Sequence, residues 1–351
     1  MFFIKILDKR EKKIGVFFSL GILYFLLAFQ FGVGYDYFSY IEIFKGEQEF
    51  NSIRGNGFLF YINFLKVITN KEIIFFITSS FIQTVLLYNF LMKLYRNKYI
   101  EKIEIYLFIL ITTTYFLFSL FNTIRSTISS LCFANIFLNY ITLKKIKITS
   151  ILYLFIAAMF HSSFFIGGLL IIIFYAIAKL KCLRKNRMII YLFICFLLYK
   201  IKIIKIIIKF ILESNINFYY KYYLESSMAY SPSDGSGVIS IIMLMAYILS
   251  LIEKKNQTNV EKEYFLNMGV LIYGVSLIIN ESPILNRLME YLILFQIFPL
   301  QYLMENLETN KLLKVLKMMF LILCLLILLK KIFYKPTREY VYKSIIFNKL
   351  E

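Results

Sequence analysis

The sequence predicts an all-α, polytopic integral membrane protein, with about 10–12 transmembrane or re-entrant helices in one bundle. Three observations carry this. First, 60% of the 351 residues are hydrophobic and the mean hydropathy is +0.71, which belongs to the membrane class. Second, the apolar stretches are continuous rather than alternating, so they suit spanning helices and not a β-barrel. Third, most Lys and Arg fall between those stretches, where they set orientation and meet anionic head groups. The net charge of +19 therefore reads as topology and lipid contact, with no nucleic-acid partner. Cys132, Cys182, Cys195 and Cys324 are scattered and lack metal-ligand spacing. Neither a metal site nor a disulfide framework is indicated.

The elements follow in order. Lys5, Lys9, Arg10, Lys12 and Lys13 place the amino-terminal end in the cytoplasm. Residues 14–31 form a first span, and with no small-residue cleavage site it reads as retained. Residues 32–57 carry Asp36, Glu42, Glu47 and Glu49 against Lys45 and Arg54, an acid-leaning loop suited to the outer side. Residues 58–69 are one half-span long, re-entrant or interfacial. Residues 72–91 return inward to Lys93, Arg96, Lys98 and Lys102. Residues 103–121 go out, 122–125 turn, and 126–143 return to Lys144, Lys145 and Lys147.

The next apolar run, 148–178, is basic at both ends and holds the only histidine, His161. One crossing would leave a basic cluster on the wrong side, so the run reads as a shallow hairpin of two short helices with His161 at its outer tip. Residues 188–208 go out, and Lys200, Lys202, Lys205 and Lys209 mark its end as an interfacial helix with snorkelling lysines. A second outer loop covers about 210–237 and contains Ser231-Pro232-Ser233-Asp234-Gly235-Ser236-Gly237, which is loop chemistry. Residues 238–252 come in and 265–279 go out. Asn280-Glu281-Ser282-Pro283 turns the chain into a helix, and 284–304 come in with Arg287 near the outer end. Residues 312–329 form the last span. Alternation then leaves the basic residues 330–351 outside, against the positive-inside rule. No repeat or linker divides the chain, so 1–351 reads as one polytopic membrane domain.

The sequence contains no Walker A loop, dinucleotide fingerprint, H-E-x-x-H or C-x-x-C. Gly167-Gly168 is a helix-packing pair. No nucleophile elbow accompanies His161. Four ionisable residues stand at span ends or turns: Asp36, Arg125, His161 and Arg287. The topology above puts all four on the outer side. Arginine grips phosphate oxygens in bidentate fashion, and histidine exchanges a proton near neutral pH. Together they suit an anionic substrate that enters from the outer leaflet. Each has a plainer reading. The arginines are also interface anchors, Asp36 a loop acid, and His161 a buried ring bonded to a neighbouring helix. The tyrosines Tyr35, Tyr37 and Tyr40 form either an aromatic belt or a sugar-stacking surface.

These same stretches resemble the EpsG family of Wzy-like bacterial polysaccharide polymerases. The resemblance lies in Gly34, Asp36 and Tyr40 after the first span, in Arg125-Ser126 opening a small-residue helix, and in Phe160, His161 and Ser163. It is completed by Arg287, Tyr291 and Pro299. The family often has Gln where this chain has Ser126. The resemblance spans about residues 14–305 and implies glycosyl transfer at the outer face of the cytoplasmic membrane. A hydroxyl of one undecaprenyl-diphosphate-linked repeat unit attacks the anomeric carbon of another. It implies His161 or Asp36 as the base, with Asp36 alternatively holding a sugar hydroxyl, and Arg125 and Arg287 on the diphosphate. Tyr37, Tyr40, Ser163 and Tyr291 are then candidates for sugar contacts. It implies no cofactor, metal or nucleotide, and as partners membrane lipid, a chain-length regulator and a repeat-unit flippase. The product, whether capsule, exopolysaccharide or O-antigen, stays open. Two other readings use the same residues: a flippase or transporter of lipid-linked sugars, and a membrane O-acyltransferase that modifies polysaccharide.

Overall fold

The structure, a computed structural model, describes residues 12–47, 56–145, 147–161, 164–180, 183–213, 237–253, 260–279, 282–306, 311–333 and 342–346. Ser163, residues 48–55 of the first expected outer loop and 214–236 of the second lie outside the described residues, and the first loop holds a helix, Asp36–Lys45. Among the described residues the regular structure is helical, apart from one isolated bridge between Gln30 and Ser344. The chain divides into two compact units, one of Met1–Leu169 with Asn310–Glu351 and one of Leu170–Thr309.

The first unit opens with α1 (Lys12–Ala28), α2 (Asp36–Lys45), α3 (Asn56–Ile68) and α4 (Ile73–Arg96). It continues with α5 (Ile103–Thr113), α6 (Phe116–Phe121), α7 (Ile124–Leu143) and α8 (Ile148–Phe160). It takes in the start of α9 (Phe164–Ala178) and ends with a long helix, Lys311–Phe333. α1 lies on α4, α4 on α7, and α7 on α8. α4 and α7 are each long and apolar enough to cross a membrane. α8 and α9 are shorter and flank His161, so the run 148–178 is two short helices, as its doubled basic flanks suggested. Phe17, Phe18, Phe25, Phe155 and Phe165 are exposed, a bilayer-facing surface that helps explain the hydrophobic excess.

The expected span 103–121 is broken between α5 and α6. Thr112 and Thr113 turn their hydroxyls back onto Phe108 and Ile109 carbonyls, each at 2.7 Å, which loosens a helix. Thr114 is extended at ψ 176°. The carbonyls that the break leaves over are met by Lys331, whose Nζ donates to Thr112 at 3.4 Å and to Thr114 at 3.1 Å.

The second unit holds α10 (Lys185–Lys200), α11 (Ile203–Glu213), α12 (Gly237–Ile252) and α13 (Val260–Ile279). Then come α14 (Pro283–Met289), α15 (Ile293–Gln296) and α16 (Phe298–Asn306), with the helix Lys311–Phe333 of the first unit as α17. α13 is the third helix able to cross a membrane. It packs on α10, α15 and α16, and Tyr273 stacks on Tyr247 of α12 with ring centroids 3.7 Å apart. The expected single span 284–304 is three short helices. Pro299 lacks an N–H and its ring crowds the carbonyl of Phe295, so the helix ends at Gln296 and restarts at Phe298.

Candidate functional site

Three of the four candidate ionisable residues lie on segments that meet at the start of α7. The convergence begins with glycine. Gly34 has φ +85°, left-handed backbone that favours glycine. A Cβ there would sit 2.8 Å from Asn122 Oδ1. That close approach lets the Asp36 N–H donate to Asn122 Oδ1 at 2.9 Å. The Gly34-x-Asp36 pattern is thus a docking device. It fixes the start of α2 against the turn that leads into Arg125. Asp36 is half-buried in the first turn of α2, where the helix dipole favours a carboxylate.

Arg125 faces the other way, toward α8. Its Nε–H donates to the Phe160 carbonyl at 2.9 Å. Its guanidinium carbon lies 4.4 Å from the centroid of the Phe58 ring, a cation–π contact. The Phe160 carbonyl belongs to the last turn of α8, where helices leave carbonyls unpaired and cations are favoured. Arg125 therefore caps α8, and the next residue is His161, half-buried with extended backbone at φ −147° and ψ 125°. Ser129, one turn along α7, donates to the Ala157 carbonyl at 3.4 Å. The end of α8 that leads into His161 is held by side chains of α7.

Beneath lies an aromatic floor. Phe160 meets Tyr61 at 4.9 Å and Phe58 at 6.2 Å between centroids. Tyr40 meets Phe58 at 6.2 Å and Phe75 at 5.0 Å. Tyr37 stacks on Phe76 at 4.7 Å. Tyr37 and Tyr40 are buried, so they hold α2 on α3 and α4. Burial, and then the nearby Glu72, push the Tyr37 hydroxyl up to about 12, against a backbone hydrogen bond with Gly32; it stays protonated at ordinary pH. Gly57 lets α3 reach α8, since a Cβ there would lie 2.7 Å from the Met159 Cα. Asn122 and Phe58 are the scaffold residues that the sequence reading did not single out. Their signal was only that each neighbours a motif in space.

Arg287 and Tyr291 belong to the second unit. Arg287 is exposed near the end of α14, and Tyr291 is buried in the turn that follows. Pro283 opens α14 in the first helical turn, where its missing N–H costs nothing. Among the described residues no three His, Cys, Asp or Glu side chains cluster as metal ligands. The arrangement around α7 offers a fixed guanidinium, a histidine next in the chain to the carbonyl it holds, and an aspartate whose backbone N–H is held by the turn before α7. Those are the parts for holding an anionic leaving group and moving a proton.

The profile of the EpsG family matches residues 13–344. No curated protein and no solved structure matches the chain.

Proposed function

The chain belongs to the EpsG family, a family of Wzy-like polymerases, and from that premise we propose that it polymerises polysaccharide repeat units carried on undecaprenyl diphosphate. The reaction sits at the outer face of the cytoplasmic membrane, with the amino-terminal end inside. A hydroxyl of the acceptor unit attacks the anomeric carbon of the donor. The new C–O bond forms as the glycosyl–phosphate bond breaks. The bonding pair leaves with the lipid diphosphate, and the hydroxyl proton passes to a base.

The observation that carries this reading is the bond from Arg125 to Phe160. Arg125 is half-buried and bonded to the carbonyl of the residue before His161, which supports this reading because a fixed positive charge stabilises a departing diphosphate most effectively. Arg125 and Arg287 are each assigned to the diphosphate, and His161 takes the acceptor proton. Asp36 holds a sugar hydroxyl from the α2 start, or serves as the base in its place. Ser163 and Tyr291 are assigned to sugar contacts. Tyr37 and Tyr40 serve the sugar through the floor they form under α2. The donor arrives activated on its lipid, so the step needs no metal or nucleotide. A flippase that supplies the lipid-linked units and a regulator of chain length are the expected partners.

The test is the length of lipid-linked and surface glycan in a strain that lacks the gene, complemented with wild type, His161→Ala or Arg125→Ala. Wild type restores polymer, and both variants leave single repeat units on lipid at normal protein level. Wild-type polymer from either variant removes that residue from the chemistry. Repeat units stranded at the cytoplasmic face in the deletion strain would mark a flippase, and polymer of normal length lacking acyl groups an acyltransferase.

A further inference from the structure

We infer that the segment Tyr342–Ile346, which follows α17, is part of the site platform. It lies on the same membrane face as Asp36 and holds the turn that carries Asp36. The Phe31 N–H donates to the Lys343 carbonyl at 2.8 Å, and the Ile345 N–H donates to the Phe29 carbonyl at 3.0 Å. Gln30 and Ser344 face each other between these bonds as a non-hydrogen-bonded antiparallel pair, the kind whose Cα atoms come closest. Both are buried, at 0% and 5% exposure, so the pairing is a packed joint. Gly32 follows Phe31 directly and begins the turn that runs through Gly34 to Asp36.

The segment also touches the other side of the same joint. The Tyr342 ring lies 6.3 Å from Phe121, the residue before Asn122, which accepts the Asp36 N–H. Tyr342–Ile346 thus spans both partners of the Asp36–Asn122 contact. It sits at the end of α1 opposite Lys12. The Lys331 charge is spent inside the unit, on the Thr112 and Thr114 carbonyls and over the Tyr115 ring at 5.0 Å. A lysine used this way does not act as a cytoplasmic loop signal.

The activity part of this inference rests on the polymerase reading; the placement does not. The test pairs Gln30→Cys with Ser344→Cys. Non-hydrogen-bonded antiparallel pairs have Cα atoms about 4.5 Å apart, within the disulfide range of about 4.4–6.8 Å. The Gln30 amide has no hydrogen-bond partner among the described residues, so its loss leaves no buried group stranded. The bond is expected to form in cells, because the outer face is oxidising, and to appear in peptide mass spectra. Ile345→Pro, which removes the N–H donated to Phe29, is expected to cut polymer yield at least tenfold at unchanged protein level. Ile345→Val is expected to keep it, and the cysteine pair is expected to rescue Ile345→Pro. Free thiols at both positions in cells overturn the placement, whatever the enzyme does. A formed bond with full polymer from Ile345→Pro, or with no rescue, overturns the positioning role while leaving the polymerase reading intact.

Discussion

Arg125 combines two contacts that a lysine cannot reproduce. The Nε–H is fixed to Phe160 and the guanidinium face lies on Phe58, so the plane of the cation is set before any substrate arrives. Lysine keeps the charge but loses the plane and the fork. We predict that Arg125→Lys lowers polymer yield by about 100-fold while protein level holds, measured by glycan length in the complemented strain. Arg125→Ala should in addition lower stability by about 1–3 kcal/mol, because the Phe160 carbonyl loses its partner; thermal unfolding in detergent reads this. Gly34→Ala forces a side chain into left-handed backbone at a cost of about 1–2 kcal/mol and against Asn122 Oδ1. Polymer should fall as far as with Asn122→Ala, since both break the Asp36 docking. Asp36, Arg125 and His161 were legible in the sequence because ionisable residues stand out at the ends of apolar runs. Asn122 was not, because its role is a hydrogen bond across 86 positions, and one sequence carries no record of such pairs.

At the scale of elements, charge was the better guide. The basic flanks of 148–178 predicted two short helices on either side of His161, which are α8 and α9, and the lysines of 200–209 fall at the break between α10 and α11. The breaks inside apolar runs were hidden, since hydropathy is blind to a threonine that bonds its own helix. Pro299 stood in view but was read as a family mark, not as a helix stop. One polar joint in the second unit was also missed. Lys262 of α13 meets Glu305 of α16 at 3.4 Å with side-chain exposures of 10% and 2%, and Gln301 donates to the same carboxylate. Removing one partner strands a buried charge, which costs about 3–5 kcal/mol. Lys262→Ala should therefore lower the melting temperature in detergent sharply. The double variant with Glu305→Ala should recover much of the loss; additive losses would mean that the pair does not act as a unit.

At the scale of the whole molecule, the residues assigned to the chemistry fall in different compact units, and each is tested by itself. Arg125, His161 and Asp36 belong to the first, and Arg287 to the second. The two arginines differ in what else they do. Arg125 is half-buried and ties α7 to α8, so its loss must show in stability as well as in polymer. Arg287 is exposed on α14, where truncation of a surface side chain shifts stability by no more than about 0.5 kcal/mol. Arg287→Ala is therefore predicted to unfold at the wild-type temperature yet to leave single repeat units on lipid. That combination separates a substrate contact from a packing contact, because a residue that only held α14 in place would move both readouts together. Normal polymer from Arg287→Ala would remove Arg287 from the diphosphate. Arg125 would then be the only assigned cation on the leaving group, and the second unit would have to act through the sugar or the lipid instead.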